Sequence, residues 1–278
     1  MLLFHALILA LVQALTEFLP VSSSAHLILT PWLLGWPDHG LLFDIALHLG
    51  TLAAVMLYFF KTWVRLAFLA IGREVWKPMP GEIDHDLYAN PKLLWLLVAA
   101  TFPAGIAGLF LKDFIETVLR SPAVIGVMLI VVGLLMAAVE KRGGLVRDLN
   151  RVSFGDAMAV GCAQALALIP GTSRSGITIT AARQIGFDRD AAARVSFLMS
   201  LPVIAGAVVM KVGGLIVAGM PEGLWTPLIV GVLTSFVAGL AAVWGTLRLV
   251  RTKSFAPFVV YRIVLGVVVL VVAAGGWR

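Results

Sequence analysis

The sequence predicts an all-α polytopic membrane protein, with six transmembrane helices plus two re-entrant helix-loop-helix hairpins in an inverted-topology repeat. Three observations predict it. Hydrophobic residues fill 60% of the 278 positions and charged residues only 13%, with a mean hydropathy of +1.01, whereas a soluble domain is about a quarter charged. The apolar residues form continuous runs of about twenty, the length that crosses a bilayer as a helix, rather than the short alternating strands of a β-barrel. Two apolar stretches are each broken by a polar, proline-containing island, Gln13 to His26 and Pro170 to Gly176.

The elements follow in chain order. Stretch 1–36 carries the first island. Its opening, Met1 to Leu19, lacks a basic n-region and a small-residue cleavage site and already holds Glu17, so it is read as part of the fold and not as a signal peptide. Spans are expected at roughly 42–60, 93–111 and 121–139, with 61–92 as a charged connector. The second broken stretch is 155–186, and further spans are expected at roughly 195–216, 227–247 and 256–276. Each half of a broken stretch is too short or too polar to cross alone. Irregular backbone at membrane depth survives only where protein or a wet cavity surrounds it, so both are read as hairpins that enter and leave on one side.

A hairpin followed by three spans occurs twice. Three is odd, so the second unit starts on the opposite side, which gives an inverted repeat. Residues 1–278 form a single membrane domain, with repeat 1 at about 1–140 and repeat 2 at about 150–278. Pro20-Val-Ser-Ser-Ser-Ala aligns with Pro170-Gly-Thr-Ser-Arg-Ser, each after an apolar helix bearing a glutamine, Gln13 or Gln164. Of the 21 Lys and Arg residues, 15 between Lys61 and Lys253 fall on one face of this topology and 4 on the other (Lys112, Arg120, Lys211, Arg278), with Arg174 and Arg262 left over. The basic face is expected to be cytoplasmic. The first hairpin then opens to the outside, and both termini lie outside.

The net charge of +6 belongs to loops facing anionic lipid, and nucleic acid is not an expected partner. The single Cys162 excludes an intrachain disulfide and gives no metal-site spacing. The glycine- and hydroxyl-rich second island is not a Walker A sequence, so nothing points to nucleotide.

The islands carry the chemistry. Glu17 lies well inside an apolar segment, where a carboxylate is costly and a functional candidate by default. Gln13 is one helical turn earlier on the same face, so Glu17 with the Gln13 amide oxygen is a candidate metal site for a hard divalent cation. Pro20 ends the helix. Ser22, Ser23 and Ser24 follow as N-caps or as hydroxyls around a helix N-terminus that attracts anions. His26 suits acid–base or nucleophilic work, while His48 reads as structural. In the second island, Gly171 and Gly176 allow close backbone approach. Thr172, Ser173 and Ser175 supply hydroxyls, and the planar cation of Arg174 suits bidentate phosphate binding, with a salt bridge to Glu17 as the structural alternative. Such parts hold a phosphate or diphosphate and transfer a phosphoryl group. Among lipid-facing helices they call for a substrate with a lipid tail.

Gln13-x-x-x-Glu17 with Phe-Leu-Pro-Val-Ser-Ser-x-x-His26, together with Pro170-Gly-x-Ser-Arg-Ser-Gly176, resembles the undecaprenyl-diphosphate phosphatases associated with bacitracin resistance. The resemblance covers essentially the whole chain, including Ser254-Phe-x-Pro-Phe before the last span. It implies hydrolysis of the terminal phosphate of a C55 polyprenyl diphosphate, recycling the carrier for peptidoglycan synthesis. It also implies a divalent cation (Mg²⁺ or Ca²⁺) and an active site facing the outside of a bacterial inner membrane. By that resemblance Glu17 and Gln13 belong to the acidic motif, whose first position accepts Glu or Gln. Ser23 and His26 map to the nucleophile and acid/base, and Ser173 and Arg174 to phosphate binding. Ala25 stands where many relatives have Gly. Two rival readings remain at this point. A flippase for the lipid monophosphate shares the inverted-repeat architecture, and an intramembrane serine protease would use Ser23 and His26 but leaves Arg174 and Glu17 unexplained. The oligomeric state is left open, a homodimer included.

Overall fold

A computed structural model describes residues 3–75, 90–142, 145–218 and 223–276. Among these the regular structure is helical: α1 (Leu3–Phe18), α2 (Ser23–Leu34), α3 (Gly40–Tyr58), α4 (Phe60–Ala70), α5 (Leu93–Ala99), α6 (Phe102–Thr117), α7 (Pro122–Glu140), α8 (Phe154–Ala165), α9 (Arg174–Gln184), α10 (Arg189–Ala218), α11 (Trp225–Thr252) and α12 (Ala256–Ala274).

Five of the described segments are long and apolar enough to cross a membrane, and a sixth is added if the bent pair α3–α4 counts as one span. The two broken stretches of the sequence are helix–loop–helix units, α1–α2 and α8–α9. Their first arms, Leu3–Phe18 and Phe154–Leu168, are apolar but shorter than a span. The expected connector at 61–92 differs from its prediction at its start. The chain bends by 70° at Phe59 and continues as α4, whose Thr62, Arg65 and Leu66 are buried. An amphipathic helix that turns one face inward accounts for the charges that made it read as a loop. Much of the rest of that connector, Trp76 to Ala89 with Lys77 and His85, lies outside the described residues, as do Arg278 and the side chains of Lys112 and Lys211.

Local chemistry explains the helix ends. Ser121 caps α7 by accepting from the Val124 N–H, with Pro122 in the first turn, where its missing N–H costs nothing. A reciprocal capping box of Ser153 and Asp156 starts α8, and Arg147 reinforces it at 2.7 Å from Asp156. Gly35 closes α2 in a left-handed conformation, φ 70°, returning its N–H to the Pro31 carbonyl.

Association rests on small residues. α3 lies against α11, α12 against α7, and α1 against α11. Ser235 donates across the first of these contacts to the Leu47 carbonyl at 3.0 Å. Gly126 and Gly266 face each other between α7 and α12, and a Cβ on Gly266 would come within 2.7 Å of the Gly126 carbonyl oxygen and of Ile130. Lipid tails are as apolar as leucine, so close backbone approach of this kind holds helices together where the hydrophobic effect does not. The outward faces are apolar, with Phe110 83% and Val237 65% exposed. The centre is occupied by α9, eight of whose eleven residues are buried. Packing there includes Phe18 edge-on to Phe197 at 5.6 Å. On one side the helix ends are stapled by Glu140 to Arg183 and Arg189, and by Asp190 to Arg194 and Arg251.

The α7–α12 contact predicts opposite outcomes for two glycines. Gly266→Ala must push Gly126 or Ile130 aside and is expected to lower stability by about 1–3 kcal/mol, read as a lower melting temperature in detergent. Gly245→Ala in α11 meets nothing within 4 Å. It is expected to be neutral or to stabilise by up to about 1 kcal/mol in the same assay.

Candidate functional site

Glu17 sits in the last turn of α1, ahead of Pro20, and Ser22 caps α2. The second unit repeats the construction, with Ser173 capping α9. Each cap serine accepts from a backbone N–H three residues on, Ala25 or Gly176. Each also contacts the hydroxyl two residues on, Ser22 with Ser24 at 3.3 Å and Ser173 with Ser175 at 3.2 Å. Both occupy positive φ, 78° and 70°, and are the only non-glycine residues to do so among those described. Such a conformation costs on the order of 1–3 kcal/mol and persists only where the surroundings impose it. Matching the caps pairs Ser22 with Ser173, which shifts the Pro20/Pro170 alignment by one residue. The shifted register also pairs Gln13 with Gln164.

The two tips meet. The Glu17 carboxylate accepts from Arg174 at 2.8 Å on one oxygen. On the other it accepts from Ser23 Oγ at 2.6 Å and Gln13 Nε2 at 3.1 Å. His48 in α3, read from sequence as structural, places Nε2 3.3 Å from that same oxygen. Its Nδ1–H is held by the Asp44 carbonyl at 2.7 Å. Both nitrogens of His48 thus face acceptors, so the ring carries both hydrogens, and Glu17 is flanked by a guanidinium and an imidazolium, which compensates a buried carboxylate. Ser175 Oγ lies 3.2 Å from the Glu17 carbonyl and 3.1 Å from that of Leu19, sewing the second loop to the first. Gly171, at φ +93°, lies so near α7 that a Cβ would come within 2.7 Å of the Ile125 carbonyl oxygen.

Arg262 of α12 locks the tips from behind. It is fully buried and donates to five backbone carbonyls: Pro20 (3.0 Å), Gly171 (2.9 Å), Thr172 (3.0 Å), Met128 (3.4 Å) and Leu129 (3.3 Å). Its neighbour Tyr261 reaches His26. The His26 Nδ1–H goes to the Ser22 carbonyl at 2.7 Å, and Nε2 lies 2.6 Å from the Tyr261 hydroxyl. His26 is thus directed at Tyr261 and not at Ser23.

Three polar atoms of the site are buried without a hydrogen-bond partner: Gln13 Oε1, Thr172 Oγ1 and Arg174 Nε. Buried polar groups are rarely left unmade. An unpaired acceptor together with unpaired donors suits a ligand that carries both a cation and an anion. Gln13 must turn its amide nitrogen to Glu17, because a carboxylate only accepts, so Oε1 is the free end. Among the described residues no group of three or more His, Cys, Asp or Glu side chains converges as a metal cluster. The oxygens of Glu17 and Gln13 nevertheless have the hard-donor chemistry that Mg²⁺ or Ca²⁺ takes, and Mg²⁺ in particular is held by one or two carboxylates jointly with substrate phosphates.

A family model described as bacitracin resistance protein BacA matches residues 6–268. The chain belongs to that family. Its relatives include proteins named undecaprenyl-diphosphatase in Desulforudis audaxviator (48% identical over 271 residues, 97% of both chains), Geobacter metallireducens (47% over 267 residues, 96% of both) and Gemmatimonas aurantiaca (46% over 274 residues, 99% of both). In this BacA-family chain the structure gathers Gln13, Glu17, Ser23, Ser173, Arg174 and Ser175 at the paired tips, with Ser22, Ser24, Gly171 and Thr172 shaping the loops. His26 lies beside them, turned to α12. Sequence reasoning missed His48, Tyr261 and Arg262. For His48 and Arg262 the signal was present, since a polar or ionisable residue inside an apolar span is a functional candidate by default. Tyr261 carried no such signal.

Arg262→Met removes the donors to Pro20, Gly171 and Thr172 while keeping the volume. It is expected to destabilise by at least ~3 kcal/mol, because buried carbonyls lose their partners, read as a lower melting temperature. Arg262→Lys is expected to recover only part of the loss, as one ammonium lacks the planar fork.

Proposed function

We propose that this protein is an integral membrane phosphatase that hydrolyses undecaprenyl diphosphate to undecaprenyl phosphate and inorganic phosphate. The observation that carries the reading is the Glu17–Arg174 pair with Ser23 on the same carboxylate, beside unpaired Gln13 Oε1, Arg174 Nε and Thr172 Oγ1. The names of the relatives agree with it, and they lend no support to the flippase reading. By the same family role the enzyme recycles the lipid carrier for peptidoglycan synthesis and gives resistance to bacitracin.

The fold is six spans plus two re-entrant hairpins, related as inverted repeats. The matching caps at Ser22 and Ser173 support this, and so does the Lys/Arg bias. By that bias the site opens to the outside of the bacterial inner membrane. The polyprenyl tail lies against the exposed apolar faces in the lipid.

The incoming diphosphate draws Arg174 from Glu17, using the Nε that is now unpaired, while Ser173 and Thr172 offer hydroxyls to its oxygens. Glu17 and Gln13 are the residues that would hold Mg²⁺ or Ca²⁺, and the ion would supply neutralising charge to the diphosphate. Ser23 Oγ attacks the terminal phosphorus and Glu17, the acceptor of its O–H, takes the proton. The Oγ–P bond forms as the bridging P–O bond breaks, and undecaprenyl phosphate leaves. Water then attacks the phosphoserine, His26 Nε2 takes the water's proton, the Oγ–P bond breaks, and Glu17 returns a proton to Ser23. Direct attack by His26 is the second reading, favoured by its one lone-pair nitrogen.

Purified protein in detergent is expected to release phosphate from a polyprenyl diphosphate, and to stop when the divalent cation is chelated. Glu17→Ala and Arg174→Ala are each expected to lose about 10²–10³-fold in kcat; normal turnover by both would overturn the site. Trapping labelled phosphate on the enzyme separates the two nucleophiles. An acid-stable label lost in Ser23→Ala is expected, whereas an acid-labile label lost in His26→Gln would establish the histidine.

A further inference from the structure

His26 is held at both ring nitrogens, from two different parts of the fold. Nδ1 faces the Ser22 carbonyl at 2.7 Å, and a carbonyl only accepts, so Nδ1 carries the hydrogen. That carbonyl belongs to the serine at φ 78°, and it also accepts the His26 backbone N–H at 3.2 Å. In the neutral imidazole the lone pair is then on Nε2, where the Tyr261 O–H donates at 2.6 Å. The two rings lie parallel within 7°, with centroids 5.7 Å apart. Tyr261 is 44% exposed, so burial of its ring does not account for the contact. It precedes Arg262, whose guanidinium fixes the backbone of both loop tips. Consecutive residues of one helix therefore fix the loops and the histidine ring that stands over them.

We propose that Tyr261 is a positioning residue for the phosphatase reaction. The Ser22 carbonyl sets the tautomer, and the Tyr261 hydroxyl holds the ring in one plane and aims the Nε2 lone pair until water on the substrate side takes its place. The inference rests on the phosphatase reading and adds to it a residue that touches neither phosphate nor cation. The partner of Nδ1 sets which nitrogen is available, and the partner of Nε2 sets where that nitrogen points.

Tyr261→Phe keeps the ring and the stacking and removes only the hydroxyl. Its kcat is expected to fall about 10-fold or more, with KM within about two-fold of the parent and an unchanged melting temperature. In protein labelled with ¹⁵N-histidine, assigned through His26→Gln, the parent is expected to show one sharp set of His26 ring signals and the variant a shifted or broadened Nε2 signal. Three results would overturn the proposal: parental kcat in Tyr261→Phe, a change confined to KM, or a loss of kcat with the His26 ring signals unmoved. Failure of the parent itself to release phosphate would instead sink the phosphatase reading, and the ring-nitrogen spectra would still decide whether Tyr261 holds the His26 ring.

Discussion

A carboxylate and a guanidinium meet at 2.8 Å inside a protein whose surface is mostly hydrocarbon. Neither tolerates that setting alone, because removing one partner of a buried pair leaves a charge costing about 3–5 kcal/mol. Glu17 comes from the first helical hairpin and Arg174 from the second, so pairing them brings the two polar islands tip to tip, with His48 of α3 as the carboxylate's other charged neighbour. The rest of the architecture serves that requirement. α9 is buried to carry Arg174 inward, glycine faces bring α7 and α12 close behind the tips, and Ser175 binds the first loop's backbone. The second cation, Arg262, is treated differently. It faces five carbonyl oxygens, so its charge is solvated by peptide dipoles and is not spent on a carboxylate. One arginine stays exchangeable and the other is fixed.

That contrast suits phosphoryl transfer. A cation paired to a carboxylate can change partners when a more highly charged anion arrives, at a small net cost. A cation wrapped in carbonyls cannot leave without abandoning several at once. Arg174 can therefore answer the substrate while Arg262 keeps the loops in place around it. The strained cap serines fit the same division, since both are held where an unconstrained serine would relax.

Much of this was legible in the sequence. Apolar runs of span length placed the long helices within a few residues, because hydrocarbon thickness is a hard constraint on length. The polar islands announced themselves because buried charge is costly, and Glu17 and Arg174 were readable as partners for the same reason. Other features were out of reach. The 70° bend at Phe59 has no proline to mark it and depends on α4 finding a place to bury Leu66. Pairing the prolines of the two islands misses the cap register by one residue, because φ at Ser22 and Ser173 is imposed by tertiary contacts. Tyr261 reaches His26 only through the packing of α12, which pattern and spacing do not encode. Arg262 could be counted as an intramembrane charge, but its carbonyl partners come from three separate segments.

Arg262 also bears on how the molecule comes into being. Its ligands lie in the first loop, in α7 and in the second loop, all of which leave the ribosome before α12 does. Until α12 packs, the carbonyls of Pro20, Gly171 and Thr172 have no shared donor, and only Ser175 and the Glu17–Arg174 pair join the two tips. The order of synthesis thus leaves these carbonyls waiting for a donor, and α12, arriving after them, supplies it.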